Sequence, residues 1–206
     1  MKTFNYEQRS PDWIKLRKGK ITGTGLKKVV GTPKARQGYL YEILAERIVD
    51  NEVEEMEEMA MERGVRLEPE GIAEFEKATG KKVEQVGFAV SDKNKYIANS
   101  PDGFIKIKGK YAEGLEIKCP NAATHLRYWL ENRIPDEYYP QLIQYFIVNS
   151  DLKRLYFASY DPRIVIHPLH ILKLEREDLE DDIKNYTEQQ IEFLKEVEKL
   201  YKQITK

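Results

Sequence analysis

The sequence predicts an α/β fold in which a mixed central β-sheet is flanked by helices on both faces. Three observations support this class. Helical signals dominate the first 79 residues, strand-like alternation occupies residues 86–118, and helical and strand segments then alternate up to a long C-terminal helix. The 206 residues are expected to form a single domain, residues 1–206, because no linker or low-complexity tract divides them.

The first third of the chain reads as three helices. Ser10 and Pro11 form a start signal, with a capping hydroxyl followed by proline at the first helical position. Residues 21–25 are a small polar turn before a second helix, and residues 31–33 form a break. Apolar residues then recur at amphipathic spacing, at Tyr39, Leu40, Ile43, Leu44 and Ile48. The acidic segment 50–58 is predicted to be a loop or a helix entry.

The middle of the chain combines one helix with several strands. Residues 59–79 are predicted to be helical and to end at Gly80, with Pro69 marking a kink or a second helix start. Val86, Phe88 and Val90 alternate as a strand. Residues 96–118 are predicted to form a β-hairpin, since apolar and basic residues alternate up to a glycine turn near residue 109, and Pro120 stops its second strand.

The last third returns to helices and strands. Residues 125–132 are predicted to be helical, and a further helix is predicted to start at Pro135-Asp136 and to carry Gln141 and Gln144. Residues 154–160 and 169–174 are predicted strands. From Asp178 onward one long amphipathic helix is expected, with an interruption near Thr187, and its own core is favoured over a neighbouring subunit as its packing partner.

Charge and composition narrow the functional classes. The net charge is −1, which argues against a protein that coats nucleic acid through bulk electrostatics. Positive charge is nevertheless concentrated in residues 15–36, which contain eight Lys or Arg residues and no acid. No apolar run approaches the roughly 20 residues that span a bilayer, and a single cysteine excludes an intramolecular disulfide. We therefore expect a cytoplasmic protein without a membrane partner.

The predicted hairpin carries the residues with the most specific chemistry. Glu116 and Lys118 lie two apart on one strand and therefore face the same side, and the hairpin brings Asp102 back beside Glu116. Two carboxylates and an ammonium on one face suit a phosphodiesterase that uses Mg²⁺, because this ion prefers oxygen ligands and activates water. The alternative is a solvent-exposed hairpin with a surface Glu–Lys pair.

The flanking residues add a family resemblance. The Asp…Glu-x-Lys pattern resembles the core of the PD-(D/E)xK nucleases, and the stretches Ser-Pro-Asp-Gly at 100–103 and Leu-Glu-Ile-Lys-Cys-Pro at 115–120 resemble the phage lambda exonuclease family. Further segments resemble motifs of that family in the same order, at residues 13–24, 63–68, 139–144 and 157–163. The resemblance implies a restriction-endonuclease-like core.

The resemblance also implies roles for individual residues. Asp102 and Glu116 would bind Mg²⁺, with Mn²⁺ able to substitute, and the Ile117 carbonyl would be an additional ligand. Lys118 would be the catalytic lysine, Glu68 would support the metal or its water, and Gln141 would position the nucleophile or the scissile phosphate.

A second implied site holds the 5′-terminal phosphate of DNA. Arg17 and Thr24 would bind this group, with Thr24 standing where the phage enzyme has serine, so that the hydroxyl donor is kept. An arginine expected near Thr124 is missing, and Arg127 is the candidate replacement.

The resemblance implies a Mg²⁺-dependent exonuclease that digests one strand of linear duplex DNA from its 5′ end and leaves a 3′ single strand. It also implies a ring-shaped homotrimer, encoded by a virus or prophage, that passes this strand to a single-strand annealing protein. Two alternatives stay open: another nuclease on the same core, either an endonuclease or Cas4-like, and a non-catalytic module that binds DNA ends. The single cysteine excludes the iron–sulfur cluster of Cas4-like proteins.

Overall fold

The computed structural model describes the backbone of residues 1–49 and 59–205 and the side chains of residues 1–49 and 66–205. The acidic segment 50–58 therefore lies outside the described residues. The helices in the described part are α1 (Pro11–Arg17), α2 (Gly23–Val29), α3 (Pro33–Ile48), α4 (Met59–Thr79), α5 (Ala122–Glu131), α6 (Tyr139–Val148) and α7 (Glu180–Ile204). The strands are β1 (Lys2–Phe4), β2 (Phe88–Val90), β3 (Ala98–Asn99), β4 (Gly103–Ile107), β5 (Lys110–Lys118), β6 (Arg154–Tyr160) and β7 (Leu169–Glu175).

The central sheet is mixed, as predicted. Its strand order is β4-β5-β6-β7, with β5 and β6 parallel and the two outer pairs antiparallel. The parallel pair is possible because α5 and α6 form the crossover between β5 and β6. Residues 88–90 of the strand predicted at 86–90, and residues 98–99 of the predicted hairpin, belong to a second sheet, in which β1, β2 and β3 are antiparallel.

The β4–β5 hairpin confirms the local prediction. Its two turn residues, Lys108 and Gly109, have φ values of 50° and 82°. Positive φ at both turn positions matches the twist of a two-residue hairpin. The register places Gly103 opposite Leu115, so Asp102, one residue before β4, lies next to Glu116.

Helices cover both faces of the central sheet. On one face α4 packs Ile72 and Phe75 against Leu115 and Ile117 of β5. On the other face α6 packs against β6 and α7 packs against α6, and Phe157 lies in a core that continues into α2 and α3. The predicted fold class is thereby confirmed.

The C-terminal helix packs on the core of its own chain. Phe193 and Val197 are fully buried, and the Phe193 ring stacks on Tyr39 of α3 at 5.5 Å between centroids. Arg36 forms two hydrogen bonds of 2.7 and 2.9 Å to the Glu196 carboxylate, which join α3 to α7. Among the helices of the described ranges, none is long and apolar enough to cross a membrane.

Three local predictions differ from the structure or are resolved by it. Helix α6 begins at Tyr139 rather than at Pro135, because Pro140 lacks the N–H that a helix started at Pro135 would need there. Helix α4 runs from Met59 to Thr79 with Pro69 inside it, so the proline does not start a second helix. Helix α7 is not interrupted at Thr187, whose hydroxyl donates a 2.6 Å hydrogen bond to the Ile183 carbonyl.

Candidate active site

Asp102 and Glu116 meet at the open end of the β4–β5 hairpin. The Ile117 N–H donates a 2.8 Å hydrogen bond to Asp102 Oδ2, so the Asp102 carboxylate is fixed against the backbone of β5. The Ile117 side chain points to the opposite face, where it packs in the core beneath α4. The alternation of β5 thus separates the polar face from the apolar one, as the sequence predicts.

The Glu116 carboxylate is fully buried and holds several side chains together. Its Oε1 atom accepts hydrogen bonds from Lys118 Nζ and, at 2.6 Å, from Gln141 Nε2. Its Oε2 atom accepts a 2.6 Å hydrogen bond from the Tyr145 hydroxyl. The structure therefore brings two further sequence-predicted residues, Lys118 and Gln141, to the carboxylate of Glu116. A surface Glu–Lys pair, the alternative interpretation of the hairpin, is incompatible with this burial.

Tyr145 is a site residue that the sequence interpretation missed. Its hydroxyl accepts a 3.1 Å hydrogen bond from the Asp102 N–H and contacts both the Glu116 carboxylate and, at 3.1 Å, the Leu115 carbonyl. The available signal was its spacing, since Tyr145 lies four residues after Gln141 and thus on the same face of α6.

Glu68 adds a third acidic group from α4. Burial raises the pKa of the half-buried Glu68 carboxyl, and repulsion from Glu116 raises it further, against the opposing effects of Lys118 and Arg9. Glu68 therefore lies close enough to the Glu116 carboxylate to interact with it electrostatically. The role predicted for Glu68, support of the metal or its water, stays a prediction.

The electrostatics of the site favour a cation. Burial raises the pKa of Asp102 well above its usual range, and the negative charges of Glu116 and Glu68 raise it further. Burial by itself lowers the pKa of Lys118, but the attraction of Glu116 and Asp102 outweighs it and leaves that pKa raised. Three carboxyl groups thus share one ammonium, and a divalent cation would relieve the repulsion among them.

The donor set fits Mg²⁺. In the part of the chain that the structure describes, no three Asp, Glu, His or Cys side chains converge as a complete metal cage. Mg²⁺ does not require one, because it is usually held by one or two carboxylates and completes its shell with water and substrate phosphate. Asp102 and Glu116 supply two such carboxylates.

A second cluster lies next to the carboxylates. Arg17 donates hydrogen bonds to the Thr24 hydroxyl at 3.2 Å and to the Ser100 hydroxyl at 3.4 Å, and its guanidinium lies over the Trp13 ring at 4.9 Å. The structure thus brings together the predicted pair Arg17 and Thr24. It adds Ser100, two residues before Asp102, to which the sequence interpretation assigned no role.

Arg127 lies outside both clusters. Its guanidinium donates a 2.9 Å hydrogen bond to Glu137 and lies over the Tyr128 ring at 5.0 Å. The proposed replacement of the missing arginine near Thr124 therefore has no support from the contacts of Arg127 and stays a prediction.

Gly23 allows helix α2 to approach the site. A Cβ atom at this position would lie 2.8 Å from Gln141 Cγ, closer than real Cβ contacts, and at a tight 3.1 Å from Asn99 Oδ1. The absence of a side chain at Gly23 thus lets α2, which carries Thr24, pack directly beside Gln141.

The chain is similar to a known protein family. A family model, the YqaJ-like viral recombinase domain, matches residues 12–151. No curated protein sequence gives a significant match.

Solved structures give a closely similar fold. An alkaline exonuclease from Laribacter hongkongensis, LHK-Exo, is 26% identical with a TM-score of 0.80, over 95% of this chain and 98% of that chain. Its complex with dAMP is 27% identical over the same shares, also with a TM-score of 0.80. A phage-related exonuclease from Haemophilus somnus 129PT is 14% identical with a TM-score of 0.61, over 90% of this chain and 95% of that chain, and shares the fold.

The resemblance derived from the sequence motifs is thereby confirmed at the level of the family. The structural relatives are exonucleases, and the family match extends through Arg17, Asp102, Glu116 and Gln141. The chain belongs to the YqaJ-like viral recombinase domain family.

Proposed function

We propose that this protein is a Mg²⁺-dependent exonuclease that degrades one strand of linear duplex DNA from its 5′ end. The observation that carries the proposal is the buried Glu116 carboxylate, which Lys118, Gln141 and Tyr145 hold beside Asp102. The similar Laribacter exonuclease was solved with dAMP, a deoxynucleotide, which supports DNA as the substrate class.

The residues of the site have separable roles in this proposal. Asp102, Glu116 and the Ile117 carbonyl would hold Mg²⁺, which supplies an activated water and offsets phosphate charge when bound. Glu68 would accept a hydrogen bond from that water or a water of the metal shell. Gln141 would orient the scissile phosphate through its amide, which already lies 2.6 Å from Glu116 Oε1.

Lys118 acts as a cation in this scheme. Its raised pKa keeps the ammonium protonated near neutral pH, because burial is outweighed by Glu116 and Asp102. A protonated Lys118 orients the water and stabilises the negative charge that develops on the phosphate during attack. Removal of a proton from the water then requires a group other than this ammonium.

In this proposal the Arg17 cluster determines that degradation begins at the 5′ end. The Arg17 guanidinium and the hydroxyls of Thr24 and Ser100 form a set of donors two residues from Asp102. A guanidinium can grip a phosphate through two parallel hydrogen bonds. A terminal phosphate carries more charge than an internal diester, so this cluster would select the 5′ end. The remaining 3′ single strand would pass to a single-strand annealing protein, and the active form would be a ring-shaped homotrimer.

One experiment tests the proposed reaction. Linear duplex DNA labelled at the 5′ end of one strand or at its 3′ end is incubated with Mg²⁺, beside a closed circular plasmid. The proposal expects early release of the 5′ label, late release of the 3′ label and an intact circle. Cleavage of the circle would indicate an endonuclease, and cleavage of neither DNA would indicate a module that only binds ends. Light scattering of the same preparation tests the trimer.

A further inference from the structure

A basic groove lies away from the carboxylate site, between α7, the end of α3 and the loop that joins β2 to β3. It has a volume of about 740 Å³. Its lining includes five cationic side chains and one carboxylate, namely Arg47, Lys95, Lys195, Lys199, Lys202 and Glu198. None of these residues belongs to the metal site or to the Arg17 cluster.

The positive charge of the groove is only partly neutralised by neighbouring groups. Glu198 lies 3.2 Å from Lys202 and 3.9 Å from Arg47, and it is shared between them. For Lys95, Lys195 and Lys199, no carboxylate within the described ranges lies within 4 Å. The surplus charge therefore faces solvent and is available to an anionic ligand.

One wall of the groove is held in place by a buried arginine. The Arg47 side chain is 9% exposed, its guanidinium lies 3.9 Å from the Tyr96 ring centroid, and it donates hydrogen bonds to the Gly19 carbonyl. Burial lowers the pKa of the neighbouring Lys20, and the positive charges of Arg47 and Lys95 lower it further. Cations are thus held close together despite their repulsion.

The groove and the active site are joined by one short segment of the chain. Tyr96 lines the groove, Ile97 pairs with Ile21, β3 follows, and Ser100 and Asp102 reach the two clusters of the active site. Six residues of extended chain span at most about 20 Å. The segment that contains Arg17 and Lys20 runs beside this one, because Arg17 contacts Ser100 and the N–H of Ile21, next to Lys20, donates a hydrogen bond to the Tyr96 carbonyl. Positive groups therefore continue from the site into the groove.

We propose that this groove binds the phosphodiester backbone of DNA at some distance from the bond that is cleaved. The choice of DNA as the polyanion rests on the proposed function. A chain of phosphates matches a row of cations better than a single anion does, because each phosphate that pairs with a lysine releases counterions. The groove would hold the substrate while its end occupies the carboxylate site.

The test uses two triple variants of equal charge. The first, Lys95→Gln/Lys195→Gln/Lys199→Gln, removes exposed cations of the groove. The control, Lys77→Gln/Lys82→Gln/Lys110→Gln, removes lysines that pair with Glu74, Glu76 and Asp151. Binding of a long 5′-phosphorylated duplex is measured over a range of KCl concentrations with Ca²⁺ in place of Mg²⁺. Turnover of a short 5′-phosphorylated duplex, which does not extend from the carboxylate site into the groove, is measured with Mg²⁺.

The groove triple is expected to lower the slope of log affinity against log salt by about 2–3, at roughly 0.7–0.9 per lost phosphate contact. The control is expected to keep the slope, and both triples are expected to keep turnover of the short duplex. Equal slopes in the two triples would overturn the proposal and leave an acidic protein as the groove's partner. Calorimetry with inorganic phosphate completes the test. If the groove triple loses phosphate binding but keeps the slope, the site serves free phosphate and the proposal is wrong.

The failure of the proposed function would look different. In that case the unmodified protein would cleave neither the long nor the short duplex, while the salt dependence of DNA binding would still report on the groove.

Discussion

The Tyr145 hydroxyl lies 2.6 Å from Oε2 of Glu116 and accepts a hydrogen bond from the Asp102 N–H, so one phenol links both proposed metal ligands. Tyr145 itself is fully buried on α6. The relationship makes α6 part of the catalytic apparatus in our proposal. Small changes in how α6 packs would alter the separation of the two carboxylates.

Tyr145→Phe is expected to weaken Mg²⁺ binding and to lower kcat more than it raises KM. The ring still fills its space, but Glu116 loses one of its donors, and a hydrogen bond to a charged group contributes about 1.5–3 kcal/mol. Calorimetric Mg²⁺ titration and steady-state kinetics measure the effect. Tyr160→Phe is the matched control, since it removes a hydroxyl that bonds Glu70 at 2.6 Å. Equal losses in both variants would show a general effect of removing a tyrosine hydroxyl.

Asp102→Asn is expected to stabilise the metal-free protein near neutral pH and to abolish cleavage. The folded pKa of Asp102 is raised by burial and by Glu116, so the folded state holds its proton more tightly than the unfolded state. The contribution of Asp102 to the free energy of unfolding is therefore greatest at a pH below the ordinary aspartate pKa of about 3.9. It falls as pH rises through the raised folded pKa. Urea unfolding at several pH values measures the difference.

Added Mg²⁺ provides the second half of that measurement. A ligand at about 100 times its Kd stabilises the folded state by about 2.7 kcal/mol. The unmodified protein should show a gain of this order, and Asp102→Asn should not. A Mg²⁺-dependent gain that survives in the variant would place the metal elsewhere.

Lys118→Ala is expected to slow the chemical step by about 10²–10³, the usual effect of losing a donor that stabilises the transition state. DNA binding should change little, because the Lys118 ammonium pairs with the Glu116 carboxylate inside the site. Single-turnover cleavage started by adding Mg²⁺ to a preformed complex separates the two effects. Lys106→Ala, on the same hairpin, is the control, and its ion pair is with Glu84 outside the site. A wild-type single-turnover rate in Lys118→Ala would reject the role.

Gly23→Ala is expected to lower kcat without unfolding the protein. The new Cβ would lie 2.8 Å from Gln141 Cγ and would push this side chain away from Glu116. Gly38→Ala in α3 is the control, because nothing lies within 4 Å of its Cβ position. It should stabilise the protein by about 0.5–1 kcal/mol. If Gly23→Ala retains full activity, the position of Gln141 does not limit catalysis.

Arg17→Ala is expected to remove the preference for 5′-phosphorylated over 5′-hydroxyl duplex ends. The unmodified protein should digest the phosphorylated end faster, since Arg17, Thr24 and Ser100 form the donor set. Arg17→Lys keeps the charge but loses the planar fork, so it should restore the preference only in part. Initial rates on the two substrates measure it. A preference that persists in full without Arg17 would exclude this cluster as the phosphate site.

Much of the site could be predicted because its signals are local. Asp102 and Glu116 lie on the two sides of one hairpin. The two-residue turn of this hairpin and the alternation of β5 define which side chains share a face. The helix start at Ser10 and Pro11 is likewise a matter of adjacent residues, and the structure confirms it. The start of α6 was wrong by four residues, because two nearby prolines compete and only one can begin the helix.

The sequence by itself determined most of the secondary structure elements, the mixed α/β class, the carboxylate–lysine hairpin and the family, but it did not indicate strand β1. Only the tertiary structure decided that Glu116 is fully buried, that Tyr145 and Ser100 join the site, and that residues 88–90 form a second sheet with β1 and β3. These features depend on contacts between residues far apart in the chain, such as Glu116 with Tyr145 on α6. Periodicity and turn chemistry describe the conformation of each segment. They carry no information on which surfaces meet, because long-range packing is set by the shape and burial of all the segments together.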